Sequence, residues 1–429
     1  LFHDEDERKY ISSLEWETRD GYRKPGAICL VEYSPETRSI VGYPRRISMG
    51  ATMRGCLEGP HIYKHDDMYY LLCAEGGTGY YHSATISRAD DVWGPYESYP
   101  DNPVITSFPE NYDETADVDH LKPRYYNPDA PLQKAGHGSI VETPDGIPYM
   151  AFHCSRPFVP ELCCTLGRET ALQRLEWTED GWIRMAGGGN LVRLETEEPS
   201  EASDHSGLGV NCGKALTDWP ACTEYHFHDD FDSDELDIGY YSLRIDAREF
   251  ADLASRPGWL MLKGQQSLSS TDKVAMVARK LTSVEAVITT RMIFDPEVYQ
   301  HSAGLVFFYD NMNYVWLRKY WSETLQAPAL SIVEISQGER DNHNENRVLA
   351  PEGDVWLRII INGRTFNMEW SADGEEWTAI GREFETWHLS DEYSKHGEFT
   401  GSMIGLACKD SLLHKKCAYF DFFDYKARL

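Results

Sequence analysis

The chain has 429 residues, which suggests roughly two or three domains, each able to bury its own core. It carries 70 Asp+Glu against 41 Lys+Arg, a formal net charge of −29, so phosphates are repelled. Nucleic acid and membrane surfaces are therefore not expected as partners, and no apolar run reaches the ~18 residues of a membrane-crossing helix.

In chain order, three stretches share one layout of apolar strand, acidic turn and aromatic strand. They are Leu1-Phe2-His3-Asp4-Glu5-Asp6 leading to Lys9-Tyr10-Ile11, Ile62-Tyr63-Lys64-His65-Asp66-Asp67 leading to Tyr69-Tyr70-Leu71-Leu72, and Ile140-Val141-Glu142-Thr143-Pro144-Asp145-Gly146 leading to Tyr149-Met150-Ala151-Phe152. Each reads as a β-hairpin. They recur at spacings of about 60 and 78 residues with no helical segment between them, as propeller blades do. Val92-Trp93-Gly94-Pro95-Tyr96 reads as a turn into an outer strand. A propeller closes with about four to eight blades, whereas about three are visible here. The first hairpin starts at Leu1, so the expectation is a chain that opens inside a domain whose first blades lie upstream.

Between the second and third hairpins, Ser107 to Leu132 is polar and proline-broken, and reads as an insertion at the surface or beside the site. Glu195 to Pro220 is turn-rich and without periodicity, which suits a connection between domains. From Tyr225 the pattern becomes short alternating strands. Val284 to Phe294, Leu305 to Tyr309, Tyr314 to Trp316, Trp356 to Ile361, Phe366 to Trp370 and Tyr419 to Phe423 are examples, with turns at Asp310-Asn311-Met312-Asn313, Asn362-Gly363 and Asp373-Gly374. Asn-Gly predicts a type I′ hairpin, and the set predicts a β-sandwich. The expected organisation is all-β: a partial propeller over 1–195, a linker over 196–223 and a sandwich over 224–429.

Ten cysteines at irregular spacings, with Cys163 and Cys164 adjacent, fit free thiols rather than a disulfide frame or a cysteine metal site. With no Asn-x-Ser/Thr sequon and no secretory signal, a cytoplasmic location is expected. Association into a homo-oligomer is left open.

Leu57-Glu58-Gly59-Pro60-His61-Ile62-Tyr63 places a carboxylate just before a glycine and a proline at the mouth of the second hairpin. A glutamate displayed on such a rim can act as a proton donor; a surface glutamate before a turn is the plainer reading. Cleaving a glycosidic bond needs such an acid for the leaving oxygen. It also needs a second carboxylate that activates water or attacks the sugar. The acid must keep its proton near neutral pH, as burial beside apolar groups allows.

Four motifs occur in this order: Leu57-Glu58-Gly59-Pro60-His61, Ala74-Glu75-Gly76-Gly77-Thr78-Gly79-Tyr80, Ala135-Gly136-His137-Gly138-Ser139-Ile140-Val141-Glu142-Thr143 and Leu166-Gly167-Arg168-Glu169-Thr170. Together they resemble the family 43 glycoside hydrolases, in particular their two-domain β-xylosidases. Asp229-Asp230-Phe231-Asp232, Ser267-Leu268-Ser269-Ser270, Ala303-Gly304-Leu305-Val306 and Phe399-Thr400-Gly401 extend the resemblance to nearly the whole chain. It implies a five-bladed propeller followed by a concanavalin-like sandwich, and hydrolysis with inversion of configuration. The implied substrates are xylo-oligosaccharides or arabinose-substituted chains, with no required cofactor. By the same resemblance Glu58 is the general acid and His137 the histidine at the propeller centre, beside a calcium ion in some members. Arg168 binds the sugar and Phe399 is the aromatic that covers it. The competing readings are a core histidine, an arginine paired with Glu169 or Glu142, and a core phenylalanine.

The chain departs from the family at one point. In the family the general base lies close to the N-terminus of the first blade and the aspartate that tunes the acid lies just ahead of the Leu-Phe-x-Asp strand, whereas this chain opens at Leu1-Phe2-His3-Asp4. Asp4, Asp6 and Glu75 are not at positions that would replace them. The expectation is therefore a chain that is inactive by itself, with a non-catalytic carbohydrate-binding protein as the alternative. Family 32 hydrolases join the same two folds, but carry Glu-Cys-Pro where this chain has Glu58-Gly59-Pro60.

Overall fold

In a computed structural model the described residues are 1–16, 26–111, 123–197, 199, 224–396 and 399–428. They form two compact units, Leu1–Arg156 with Arg168–Asp218 and Pro157–Gly167 with Trp219–Leu429.

The first unit contains three antiparallel sheets that follow one another along the chain. The first holds β1 (Phe2–His3), β2 (Lys9–Trp16), β3 (Gly26–Ser34) and β4 (Ser39–Ser48). The second holds β5 (Glu58–His65), β6 (Met68–Glu75), β7 (Ser83–Ala89) and β8 (Glu97–Ser98), with β9 (Ile105–Thr106) also paired to β7. The third holds β10 (Gln133–Glu142), β11 (Pro148–Ser155), β12 (Glu169–Trp177) and β13 (Ile183–Met185). All three expected hairpins are present, and the turn at Val92 to Tyr96 leads into β8 as expected.

The sheets stack face to face like blades. Tyr10, Ile28 and Leu30 of the first pack on Ile62, Leu71 and Cys73 of the second. Leu72, Ala84 and Ile86 of the second pack on Met150, Phe152 and Leu175 of the third. Alternate residues of β5 to β7 thus feed different interfaces, as period-2 side-chain alternation requires. This is the packing of a propeller, with three sheets among the described residues.

The 196–223 stretch falls outside the described residues except for Thr196, Glu197 and Pro199. Pro157–Gly167 groups with the second unit because its backbone is bonded there. The N–H of Cys164 donates to Glu392 at 2.6 Å, the carbonyl of Thr165 accepts from the N–H of Ser402 at 2.8 Å, and Arg364 holds Val159 and Glu161.

The second unit is a sandwich of two eight-stranded sheets. One runs Ala251–Asp252, Leu260–Lys263, Cys417–Arg428, Glu285–Ile293, Val355–Asn362, Thr365–Ser371, Thr378–Glu385, with Glu224–Asp229 also paired to Cys417–Arg428. The other is centred on Met403–Asp410, His301–Asp310, Asn313–Ser322 and Ala327–Ser336. Leu305, Phe307, Leu317, Ile359, Phe366, Met368 and Phe420 fill the space between them. Asn362 pairs directly with Thr365, so the two-residue turn is Gly363-Arg364 rather than Asn362-Gly363. Of these residues only Gly363 has a positive φ, which corrects the expected type I′ turn to one of type II′ character.

Candidate active site

Glu58 is the first residue of β5, at the mouth of the second hairpin. The ladder slips between Glu58 and His61, because Gly59 takes φ +59° and Pro60 follows it. His137 lies on β10, the first strand of the next sheet, where the register also slips and His137 itself adopts φ +52°. The two slips bring Nδ1 of His137 to 3.8 Å from Oε1 of Glu58, with both side chains about one-third exposed.

Three glycines make this approach feasible. A Cβ on Gly59 would sit 2.5 Å from Nε2 of His137, one on Gly136 would meet the His82 ring at 2.7 Å, and one on Gly138 would meet the Met150 sulfur at 2.3 Å. β5 and β10 are fixed to each other by the N–H of Ile140, which donates to the Tyr63 hydroxyl at 2.8 Å.

His137 belongs to a histidine cluster that the sequence reading missed. His153 stacks on it with centroids 5.3 Å apart, and His82 meets both edge-on at 6.3 and 6.5 Å. His82 is fully buried, and burial holds its pKa down at about 3. Its Nδ1 lies 3.1 Å from the carbonyl of Lys134, which can only accept, so the ring is neutral with the proton on Nδ1. Burial also lowers the pKa of His153, and the neighbouring His137 and Arg168 add to the effect.

Arg168 donates to the carbonyl of Thr78 at 2.7 Å, on the loop after β6. Glu169 is held by Arg156 at 2.6 Å and Glu142 accepts from the indole of Trp177 at 2.9 Å, so both acids of the competing reading have other partners. Phe399 belongs to the second unit and is 39% exposed, which does not suit a core phenylalanine.

The other carboxylates considered have different duties. Glu75 is buried, and its oxygens accept from the N–H groups of Ala51 and Thr52 and the hydroxyls of Thr52 and Thr85 at 2.5–3.1 Å. Burial nevertheless raises its pKa. Asp4 accepts from the Tyr69 hydroxyl at 2.7 Å and from the N–H of Glu5 at 2.8 Å. Asp6 pairs with Arg8. Sequence reasoning also missed Arg54, which is fully buried and, among the described residues, has no carboxylate as a hydrogen-bond partner. It donates to the carbonyls of Tyr81, Phe108 and Glu110 at 2.7–2.9 Å, and so ties the start of the 107–132 loop to the segment that leads into Glu58. Asp113, Asp117 and Asp119 of that loop lie outside the described residues.

Comparison with known proteins agrees with this architecture. Residues 1–183 match the model of glycosyl hydrolases family 43, and residues 228–426 match the beta xylosidase C-terminal concanavalin A-like domain. The chain is 34% identical to the beta-xylosidase of Bacillus subtilis (strain 168), covering 100% of this chain and 76% of that one. It is 33% identical to xylosidase/arabinosidase 43B of Humicola insolens, covering 99% and 74%. The solved xylan beta-1,4-xylosidase of Bacillus Halodurans C-125 superposes with a TM-score of 0.85 at 36% identity, over 99% of this chain and 75% of that one. The chain belongs to the family 43 glycoside hydrolases, with a propeller-type unit and a concanavalin-like sandwich.

Proposed function

We propose that the protein is an exo-acting, inverting β-xylosidase that releases xylose from xylo-oligosaccharides and also accepts α-L-arabinofuranosyl groups. The relatives named as beta-xylosidase and as xylosidase/arabinosidase support the substrate class. The observation that carries the reading is the Glu58 carboxylate, about one-third exposed on the first strand of one sheet and 3.8 Å from His137 on the next. In this reading Glu58 protonates the leaving oxygen, while His137 and Arg168 bind the sugar hydroxyls. Phe399 is a further substrate contact, proposed from its Phe-Thr-Gly motif.

The test is Glu58→Gln. Hydrolysis of xylosides with poor leaving groups should fall by about 10²-fold or more, while good leaving groups, which need little protonation, lose far less. Equal losses on both would remove Glu58 from the acid role. A second reading, a carbohydrate-binding protein without turnover, is favoured by one observation. Asp4, Asp6 and Glu75 are all engaged elsewhere, which leaves none of them to activate water. Sugar-dependent thermal stabilisation of the parent protein with no hydrolysis would establish that reading instead.

A further inference from the structure

The edge strand Glu224–Asp229 of the sandwich alternates strictly. Tyr225 and Phe227 turn into the core, whereas His226 and His228 stand on the outer face. Its partner, the C-terminal strand Cys417–Arg428, sets His228 opposite Asp424 and His226 opposite Lys426. Asp424 therefore lies between the two imidazoles. Its Oδ1 is 2.6 Å from Nε2 of His226 and 2.9 Å from Nδ1 of His228. The three ligand atoms all fall within 4.8 Å of one another.

We propose that His226, His228 and Asp424 bind a divalent transition-metal ion such as Zn²⁺ or Ni²⁺, and that the ion pins the edge strand to the C-terminal strand. Two imidazoles and one carboxylate are a borderline-soft donor set, which suits these ions rather than Ca²⁺ or Mg²⁺. Ligand bonds of about 2.0–2.1 Å in a tetrahedron separate the donor atoms by about 3.3 Å, so small side-chain rotations open the present contacts to that spacing.

The cluster is also braced as a ligand set needs to be. Lys426 bonds the other oxygen of Asp424 at 3.1 Å, which leaves Oδ1 directed at the histidines. The ring of His228 lies on that of Phe422, with centroids 5.7 Å apart and planes 23° from parallel. Asp424 is only 13% exposed, whereas the two histidines are about half exposed, so the fourth position is open to water. Among the described residues, the strand that such an ion would hold is paired on one side, to the segment from Phe423 to Arg428. A metal clip there would replace the second neighbour that an edge strand lacks.

The experiment is equilibrium dialysis of the tag-free, chelator-stripped chain against Zn²⁺, Ni²⁺ or Ca²⁺ alone, with the metal content measured. One equivalent of Zn²⁺ or Ni²⁺ and none of Ca²⁺ is expected. Removing one ligand by His226→Ala, His228→Ala or Asp424→Asn should weaken binding by about 10- to 100-fold or more. In parallel, Zn²⁺ should raise the melting temperature of the parent chain and leave that of the His226→Ala/His228→Ala double variant unchanged. Both histidines are outward-facing, so the double variant should keep its circular dichroism. Two results would overturn the proposal: no binding to the parent chain, or an unchanged equivalent in the double variant, which would place the ion elsewhere, for instance at His82, His137 and His153.

Discussion

The Cβ that Gly59 lacks would lie 2.5 Å from Nε2 of His137, so the residue after the proposed acid is shaped by the ring beside it. Gly59 also takes φ +59°, a conformation that side chains resist. Gly59→Ala should therefore displace His137 and re-aim Glu58 together. We expect kcat/KM on xylosides to fall by about 10²-fold, the order expected of a misplacement near 1 Å. Gly42→Ala is the control, since its φ is also positive but nothing lies within 4 Å of the added carbon. Equal activity in the two variants would show that the contact with His137 does not matter.

A second prediction concerns Arg54. Its guanidinium is buried and satisfies three main-chain carbonyls, together with Asn111 and Thr106. Burial lowers its pKa to about 10, still far above neutral pH, so it remains charged. Arg54→Met keeps the volume but leaves those carbonyls without a donor. The expected cost is about 2–4 kcal/mol in denaturant unfolding, with faster proteolysis near Phe108. Arg54→Lys should not restore stability, because one ammonium cannot reach the acceptors that the planar fork serves. A fully stable lysine variant would refute this account.

Third, Asp4, Asp6 and Glu75 should not supply the base for hydrolysis of a chromogenic β-xyloside. An inverting site needs a water-activating carboxylate about 6.5–9.5 Å from the acid. Glu75 has both oxygens occupied by four donors, Asp4 is held by Tyr69 and Asp6 by Arg8. Asp4→Asn and Asp6→Asn should therefore keep turnover within about tenfold of the parent, and a loss in either as large as that of Glu58→Gln would mean that this carboxylate serves as base.

The hairpins were legible where the turn chemistry is local. Asp66 and Asp67 both adopt positive φ, as a type I′ turn requires, and aspartate tolerates it. By contrast, the β3–β4 hairpin gave no signal, because Ser39 to Arg46 of β4 are exposed on both faces and carry no alternation. At the site, Glu58 was visible through the glycine and proline that follow it, and His137 through the resemblance of its motif to the family. His82, His153 and Arg54 were not, since each is brought in by packing between distant strands. Their roles depend on partners such as Lys134, 52 residues from His82, that no local pattern marks. The Asn362-Gly363 signal found the right hairpin but the wrong register, because pairing of Asn362 with Thr365 moves the turn by one residue.

The last prediction uses acid. Asp410 ends a central strand of the sandwich and is 1% exposed. Burial alone would raise its pKa, but the N–H groups of Lys416, Lys415, Leu413 and Leu412 all bond its carboxylate at 2.8–3.0 Å and outweigh that effect. The folded-state pKa is therefore well below that of the unfolded chain, about 3.9. A depressed carboxylate contributes stability that is fully present above the unfolded value and is lost as pH falls towards the folded one. Asp410→Asn should therefore lower the unfolding free energy by a constant amount between about pH 5 and 8, and the gap to the parent chain should narrow below about pH 4. Urea titrations of both chains at pH 7, 5, 4 and 3 measure it. A gap that stays constant or widens on acidification would show that the amide supplies what the carboxylate does, and that charge is not what holds the 410–416 turn.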